Sequence, residues 1–402
     1  MHVSDFPNPH VEVPASPAVP VRLHPFRGVR LSPRRVAHPA VARAFARPYN
    51  EVAQRLLEWE GEGYVDIDHS PALYLHEYTV TGMTIRGLVG NLDLSTRAED
   101  DAERAVFAHE GIHPEQADEL AERMHEMGVN PAPILLVHHG PASIRKLLDR
   151  VSARVPAQDY EDRSGQHHRL WRITDADELA EVAEGLASTR LMIADGHHRY
   201  AAYLRLQESH PQTPWDRGLS MVVDQDDTPF FLGAIHRTLP GVTAAALTAA
   251  VTASGSQPLP TTQQKAIEAL REGTWVITDG TQWLTVTNQA ERSAVEHLHL
   301  DVLPHVQDLG AVEHHHSVEA ALKAAGPDVV AVILPAPGYE LLDRAMAEGS
   351  LLPEKATSFQ PKPNIGVLMR SAESDLLGPL APGTSRPETS DVVGTQPVAE
   401  QS

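Results

Sequence analysis

The chain has 402 residues, a formal net charge of −21 and a hydrophobic fraction of 42%. This length and apolar content suffice for one large or two medium domains. The negative charge argues against nucleic-acid partners, which need a basic face, and against adhesion to anionic membranes. The chain has no cysteine, which excludes disulfides, thiolate metal sites and a cysteine nucleophile.

The N-terminal segment is rich in proline and polar residues and lacks the apolar core of a secretory signal. We therefore expect a disordered tail over residues 1–20. No apolar run reaches the about 20 residues that a membrane span requires. Together these features predict a cytoplasmic protein with no membrane partner.

The hydrophobic periodicity alternates between helical and extended segments along the chain. Helices are predicted at 41–59 (interrupted at 48–50), 99–108, 114–127, 143–154, 176–188, from 197 onward, and at 247–253, 262–272, 318–325 and 339–348. Strands are predicted at 72–78, 83–94, 133–138, 168–173, 191–194, 221–223, 230–235, 274–277, 283–286 and 329–334, with 221–223 and 230–235 forming a hairpin. This mixed order predicts an α+β (mixed α/β) fold.

The composition of the chain changes after Pro240, which we interpret as a boundary between two lobes. We expect a phosphate-binding domain over 21–240 and a smaller C-terminal α/β lobe over 241–370. From residue 371 the chain is dominated by Pro, Gly, Ser, Thr and acidic residues, which predicts a disordered tail over 371–402.

The most informative stretch, residues 191–203, has the sequence LMIADGHHRYAAY. It predicts a short buried strand, a tight turn at Asp195-Gly196 and a helix that begins with His197-His198-Arg199. Free N–H groups and the positive end of the dipole make a helix N-terminus attractive to anions. The potentially cationic side chains at this end favour a phosphate or carboxylate site. Alternatively, Asp195 only caps the helix and the histidines lie on the surface.

Each residue of this turn has a role in the phosphate-site hypothesis. Gly196 and the following N–H groups bind a phosphate, and Arg199 pairs with its oxygens through the planar guanidinium. His197 or His198 stabilises charge or transfers a proton. Asp195 either caps the helix or helps to hold Mg²⁺, which prefers carboxylate and phosphate oxygens.

Two other segments carry candidate residues. Glu110, which follows a histidine between predicted helices, is a candidate general base, or else part of a solvated acidic loop. The segment 353–362, PEKATSFQPK, offers Lys355, Thr357 and Lys362 for anion binding, or else is a surface loop. The run 314–316, HHH, suggests a metal site, although adjacent side chains rarely face one ion together.

These motifs together resemble the bacterial and archaeal family known as domain of unknown function 1015. The resemblance covers about residues 21–370 and is carried by the turn at 193–202 and by Pro25–Gly28, Pro48-Tyr49, His109-Glu110, His168–Trp171, His236-Arg237 and 349–362. The sequence departs from the usual family pattern at Asn50, His236 and Ala356, where the family has Asp, Asn and Ser.

The same turn resembles the phosphate-binding turn of the ParB/sulfiredoxin fold, which implies a ParB/sulfiredoxin-like N-terminal lobe. The lack of cysteine excludes sulfiredoxin chemistry, and the net charge of −21 argues against a DNA-sliding clamp. The Asp-Gly-His-His-Arg turn of free-serine kinases of that fold is the better match. By this resemblance Asp195, His197, His198 and Arg199 contact phosphate and metal, and Glu110 is the base for a substrate hydroxyl.

The resemblance implies ATP or ADP with Mg²⁺ as cofactor, and a nucleotide and a small-molecule substrate as partners. The leading hypothesis is a nucleotide-dependent kinase of a small hydroxylated metabolite such as free serine. The expected catalytic residues are Glu110, His198 and Asp195. The residues expected to bind the nucleotide are Gly196, His197, His198, Arg199, Lys355, Thr357 and Lys362. The alternatives are a nucleotide-binding regulatory switch without phosphoryl transfer and a metal-dependent hydrolase. The sequence leaves open whether the lysine segment joins the central turn.

Overall fold

The computed structural model describes residues 11–288 and 292–372. Its strands are β1 (Leu23–His24), β2 (Gly28–Leu31), β3 (Val65–Ile67), β4 (Leu73–Val80), β5 (Met83–Asp93), β6 (Val106–Phe107), β7 (Val129–Asn130), β8 (Ile134–His138), β9 (Gln158–Glu161), β10 (His167–Ile173), β11 (Leu191–Asp195), β12 (Arg217–Asp224), β13 (Phe231–Gly233), β14 (His236–Pro240), β15 (Pro258–Pro260), β16 (Thr274–Thr278), β17 (Trp283–Thr287), β18 (Glu313–His315), β19 (Val329–Ile333), β20 (Ser358–Gln360) and β21 (Met369–Ser371).

The helices of the same residues are α1 (Val41–Ala44), α2 (Val52–Gly61), α3 (Pro114–Met127), α4 (Ala142–Ser152), α5 (Ala176–Leu186), α6 (His197–Ser209), α7 (Ala244–Ala253), α8 (Gln263–Glu268), α9 (Ala294–Glu296), α10 (Val318–Ala324) and α11 (Tyr339–Glu348). A π-helical segment, His297–Val302, continues α9. Of the described helices, none has the length and apolarity needed to cross a membrane.

The larger lobe contains a sheet with the order β6-β11-β8-β12-β5-β4-β10-β9, to which β1 adds beside β5. Strand β12 pairs antiparallel with β5 and parallel with β8, and β4 and β5, predicted as separate strands, form a hairpin. The smaller lobe contains a sheet with the order β15-β17-β16-β19-β14-β18. Strands and helices are mixed in both lobes, which confirms the predicted α+β class.

The central sheet is apolar on both faces because each face packs against a separate core. In β8 the side chains of Ile134 and Leu136 join one core with α4 and α5. Those of Leu135 and Val137 join a second core, which also includes Trp275 of the smaller lobe. This is the period of two expected of a strand, and it explains why β8 is an almost continuous apolar run. The smaller lobe therefore packs directly on the sheet.

The boundary between the lobes differs from the one predicted at Pro240. Strand β14 already belongs to the smaller sheet, where it pairs with β18 and β19. The chain later returns to the larger lobe, because β21 pairs with β2 and β7. Since strand pairing joins distant segments, a single cut in the sequence does not separate the lobes.

Two predicted local structures are wrong. The segment 99–108 forms turns and the short strand β6 rather than a helix. Strands β12 and β13 do not form the predicted hairpin; β13 pairs with β20, more than 120 residues further on. In both cases long-range pairing outweighs the local pattern, which is common for short strands.

Residues 11–20 differ from the disordered tail predicted for 1–20. Glu12 pairs with Ile112, and the backbone N–H groups of Ala105 and Val106 donate to the buried Ser16 hydroxyl over 3.1 and 2.9 Å. The packing of these residues offsets the conformational entropy that the chain loses when it becomes ordered. The composition by itself does not reveal this packing. Residues 1–10, and 373–402 of the predicted C-terminal tail, lie outside the described residues.

Candidate functional site

The predicted strand, turn and helix form around Gly196. Strand β11 ends at Asp195, Gly196 has φ +95°, and α6 begins at His197. Only glycine adopts this backbone conformation without strain. A Cβ atom at this position would also lie 2.9 Å from Arg199 Nη2. The first N–H groups of α6 have no intrahelical acceptor, so they remain available at the end of the turn.

Asp195 does not cap the helix, since α6 has no side-chain cap. One carboxylate oxygen accepts a hydrogen bond from Arg199 over 2.6 Å, and the other accepts one from Lys362. Burial acts to raise the pKa of Asp195, but the two cations outweigh it and hold the pKa below its usual value. The carboxylate is therefore ionised and neutralised by protein groups.

This arrangement does not fit the predicted role of Asp195 as a Mg²⁺ ligand. Both carboxylate oxygens already have cationic partners. Within 11–288 and 292–372, no group of three or more His, Cys, Asp or Glu residues could hold a metal ion. Magnesium prefers carboxylate oxygens together with waters and substrate phosphates. The described side chains thus do not form a magnesium centre by themselves.

Arg199 lines the cavity, and protein groups also hold its guanidinium. Besides its bond to Asp195, its Nη1 atom donates to the carbonyl oxygens of Pro133 over 2.7 Å and Ala132 over 3.2 Å. These bonds join the start of α6 to the segment before β8. In this structure Arg199 stabilises the turn, whereas the sequence suggests a direct phosphate contact.

The two histidines of the turn do not supply positive charge. Burial and the neighbouring His109 and His198 lower the pKa of His197 well below its usual value. Burial and His113 likewise lower the pKa of His198. The backbone N–H of His113 donates to His198 Nε2 over 3.1 Å, so the proton of neutral His198 lies on Nδ1. His198 is therefore a hydrogen-bond donor at Nδ1, not a cation.

The lysine segment, residues 353–362, lies at the same cavity as the turn at Asp195-Gly196. The sequence alone leaves this question open. Lys355, Thr357 and Lys362 line the same cavity as residues 194–199, with a volume of about 320 Å³. Lys355 has no ion pair or side-chain hydrogen bond within the described part of the chain, so its charge is available to a ligand. Thr357 is buried, and its hydroxyl lies 2.8 Å from His109 Nε2.

Glu110 lies in this cavity and not on a solvated loop. Its backbone pairs with Leu352, and its side chain is only 12% exposed. Burial raises the pKa of Glu110 to about 7, although Lys355 acts in the opposite direction. A carboxyl with this pKa is partly ionised at neutral pH and can accept a proton from a bound hydroxyl.

The structure brings three further residues to the site from separate sequence motifs. Ser358 and His316 also line the cavity. The buried side chain of Arg237 donates hydrogen bonds to the backbone carbonyls of Glu354 and Lys355 in the lysine segment. Each lies in a motif noted in the sequence, namely the segment 353–362, the histidine run and His236-Arg237, but these motifs meet only after β14 and β20 are placed. The histidine run is divided, with His315 bonded to Thr238 and His316 facing the cavity.

The fold and site define an α+β protein with a cavity that suits a small anionic ligand. The chain belongs to the family described as "Protein of unknown function (DUF1015)", whose model matches residues 22–303. The family resemblance inferred from the motifs is therefore confirmed. Among curated proteins, none matches this sequence.

Solved structures of three proteins are similar to this chain at low identity. C-terminally truncated SbnI from Staphylococcus aureus has 10% identity and a TM-score of 0.43, over 71% of this chain and 88% of its own. A conserved hypothetical protein from Pyrococcus furiosus has 15% identity and a TM-score of 0.37, over 67% and 94%. Free serine kinase in complex with AMP has 15% identity and a TM-score of 0.36, over 65% and 89%.

Proposed function

We propose that the protein is a nucleotide-dependent phosphotransferase, with ATP or ADP as donor and a small hydroxylated metabolite such as free serine as acceptor. One observation carries the proposal. A single cavity unites a helix N-terminus, two lysines and a carboxyl whose pKa is raised to about 7. The match of the Asp-Gly-His-His-Arg turn to that of free-serine kinases supports the same reaction class.

The donor phosphates would lie at the N-terminus of α6. The N–H groups there and the side chains of Lys355 and Lys362 neutralise phosphate charge, which is the main requirement of phosphoryl transfer. His198 adds a donor at Nδ1. Lys362 also contacts Asp195, so a bound phosphate shares this lysine with the carboxylate or displaces it.

Glu110 would act on the acceptor. Its ionised carboxylate takes the hydroxyl proton while the hydroxyl oxygen forms a bond to the transferred phosphorus. The bond from that phosphorus to the bridging oxygen breaks, and the nucleotide leaves with one phosphate fewer. A positioned general base of this kind contributes to many proton transfers.

Purified protein incubated with ATP or ADP, in the presence of Mg²⁺ and a panel of hydroxylated amino acids, tests the proposal. We expect ³¹P NMR to show a new phosphate ester and the matching loss of nucleotide phosphate. Tight nucleotide binding by calorimetry without any ester would favour the regulatory switch over the transferase. No binding of either nucleotide would exclude both.

A further inference from the structure

Arg237 is a buried cation whose guanidinium donates to the backbone carbonyls of Ile235 and Lys355, two residues that line the cavity. It lies on β14, its side chain is fully buried, and it does not line the cavity itself. None of the described carboxylates lies within 4 Å of its guanidinium, in contrast to Arg199 with its Asp195 partner. A buried charge without a carboxylate partner is costly unless other groups bind it well.

Two of the four groups that bind Arg237 belong to the lysine segment. Nη2 donates to the carbonyl oxygens of Glu354 over 3.0 Å and Lys355 over 2.8 Å. Nη1 donates to the carbonyl oxygen of Ile235, and Nε lies 3.3 Å from His299 Nε2. One planar guanidinium thus links the smaller lobe to both carbonyls at the turn that carries Lys355.

The backbone at this turn needs such support. Lys355 has φ +54°, a left-handed backbone conformation that residues other than glycine rarely adopt. Because Arg237 binds the carbonyl groups of Glu354 and Lys355, it holds both peptide units in place. The direction in which the Lys355 side chain leaves the backbone therefore depends on Arg237.

Arg237 also contributes charge near Glu110. The groups that act most strongly on Glu110 are Lys355 and Glu354 on the turn and Arg237 on β14, and His109 Nε2 lies 4.0 Å from its Oε1. The other charged or titratable groups that line the cavity are Asp195, His197, His198, Arg199, His316 and Lys362. Burial lowers the pKa of His109 to about 4, so this ring is neutral at pH 7. Arg237 and Lys355 are thus the cations that favour the ionised form of Glu110, and Glu354 opposes them.

We propose that Arg237 is a positioning residue of the site, which holds Lys355 toward the bound phosphate and provides buried positive charge for Glu110. The proposal deepens the phosphotransferase function and rests on it. It assigns two separable effects to one side chain. The hydrogen bonds fix the lysine, and the charge favours the ionised form of the base.

Two substitutions separate these effects. Arg237→Gln removes the charge and most of the hydrogen bonds, so nucleotide affinity should fall about tenfold and the acidic limb of the pH–rate profile should move to higher pH. Arg237→Lys keeps a charge but not the planar group that reaches two carbonyls. It should lose affinity to a similar extent and leave the acidic limb near its original position.

Arg370 provides the matched control. It is also fully buried, and its guanidinium donates to carbonyl groups, those of Arg217 over 2.6 Å and of Pro214, but it does not line the cavity. Arg370→Gln should lower the melting temperature without changing nucleotide affinity or the pH profile. Equal changes in both from Arg370→Gln would show that Arg237 acts only through stability, and would overturn the proposal.

Calorimetry and ¹³C NMR of labelled glutamate keep the test independent of turnover. If Arg237→Gln is folded and changes neither nucleotide affinity nor the titration of Glu110, the proposal fails. If Arg237→Gln does not fold, unchanged affinity in Arg237→Lys overturns it instead. If no acceptor is phosphorylated, the proposed function fails, while affinity and the Glu110 titration still decide the role of Arg237.

Discussion

At the level of single residues, the charged groups of the cavity divide into those bound by the protein and those available to a ligand. Asp195 and Arg199 satisfy each other, and Arg199 also binds two backbone carbonyls. Lys355 has no such partner among the described residues. The physical consequence is that Arg199 shapes the turn, whereas Lys355 can contribute binding energy to an anion.

Substitution of Glu110 tests the base. Glu110→Gln should reduce phosphoryl transfer roughly 100- to 10,000-fold, because the amide cannot accept the proton, and should leave nucleotide affinity nearly unchanged. The exposed Glu354 on the neighbouring turn gives the control, since Glu354→Gln should retain most activity. Steady-state rates and calorimetry on both variants measure these effects. Full activity of Glu110→Gln would remove this residue from the mechanism.

The pH dependence of the rate follows from the same carboxyl. Because the ionised form accepts the proton and its pKa is raised to about 7, the rate should fall as pH decreases through 7. Well below that pH, the loss should approach about tenfold per pH unit. A pH–rate profile under saturating nucleotide measures the limb. A flat profile between about pH 5 and pH 7 would contradict the assignment.

Arg199 and Lys355 should respond in opposite ways to alanine substitution. Lys355→Ala should weaken nucleotide binding roughly 10- to 100-fold and leave the free energy of unfolding almost unchanged, since the side chain has no described partner. Arg199→Ala should cost about 1–3 kcal/mol of stability, because Asp195 and two carbonyls lose their donor. Denaturant unfolding and calorimetry compare the two. The reverse pattern would make Arg199 the phosphate ligand.

At the level of elements, the junction of β11 and α6 determines whether the helix N-terminus is accessible. Gly196 combines a positive φ with close approach of the Arg199 guanidinium. Gly128, which follows α3, also has a positive φ of 65° but has no atom near the position of an added Cβ. A comparison of substitutions at the two glycines therefore separates the effect of backbone strain from the effect of steric contact.

Gly196→Ala should cost about 1–2 kcal/mol from the backbone alone and should also weaken nucleotide binding, because Arg199 must move. Gly128→Ala should cost a similar amount of stability and leave binding intact. Unfolding curves and nucleotide titrations of both variants provide the comparison. If Gly196→Ala binds nucleotide as well as the natural chain, the geometry of this turn is not required for the site.

At the level of the whole molecule, the fold depends on segments that lie far apart in the chain. The smaller lobe contributes Trp275 to the second core, and β20 and β21 return to pair with β13, β2 and β7. The cavity also depends on segments that lie far apart in the chain. Its residues come from β11, α6, α3 and the loop before it, the residues just before β14 and just after β18, and the segment after α11.

C-terminal truncation tests this organisation. A chain that ends after Ala372 should keep its melting temperature, because the composition beyond it predicts disorder. A chain that ends after Leu368 loses β21, including the buried Met369 and Arg370, and should be strongly destabilised. Thermal unfolding of both chains measures the difference. A large loss of stability in the longer chain would contradict the predicted disordered tail.

The sequence by itself determined the family, the mixed α/β class and most long elements. Helix α3 and the β4–β5 hairpin carry strong local periodicity, and the turn at Gly196 needs glycine whatever surrounds it. Such features depend on neighbours within a few residues, which the chain order specifies directly. The candidate residues Glu110 and Lys355 were also evident, since their chemistry is visible without a fold.

Only the tertiary structure decided how these residues act. It joined the lysine segment to the turn, paired Asp195 with Arg199 and Lys362, and buried His197 so that it is neutral. It also placed β14 in the smaller lobe, where Arg237 donates a hydrogen bond to the backbone carbonyl of Lys355. Charge state and hydrogen-bond partners depend on burial and on groups distant in sequence, and neither is encoded in a local pattern.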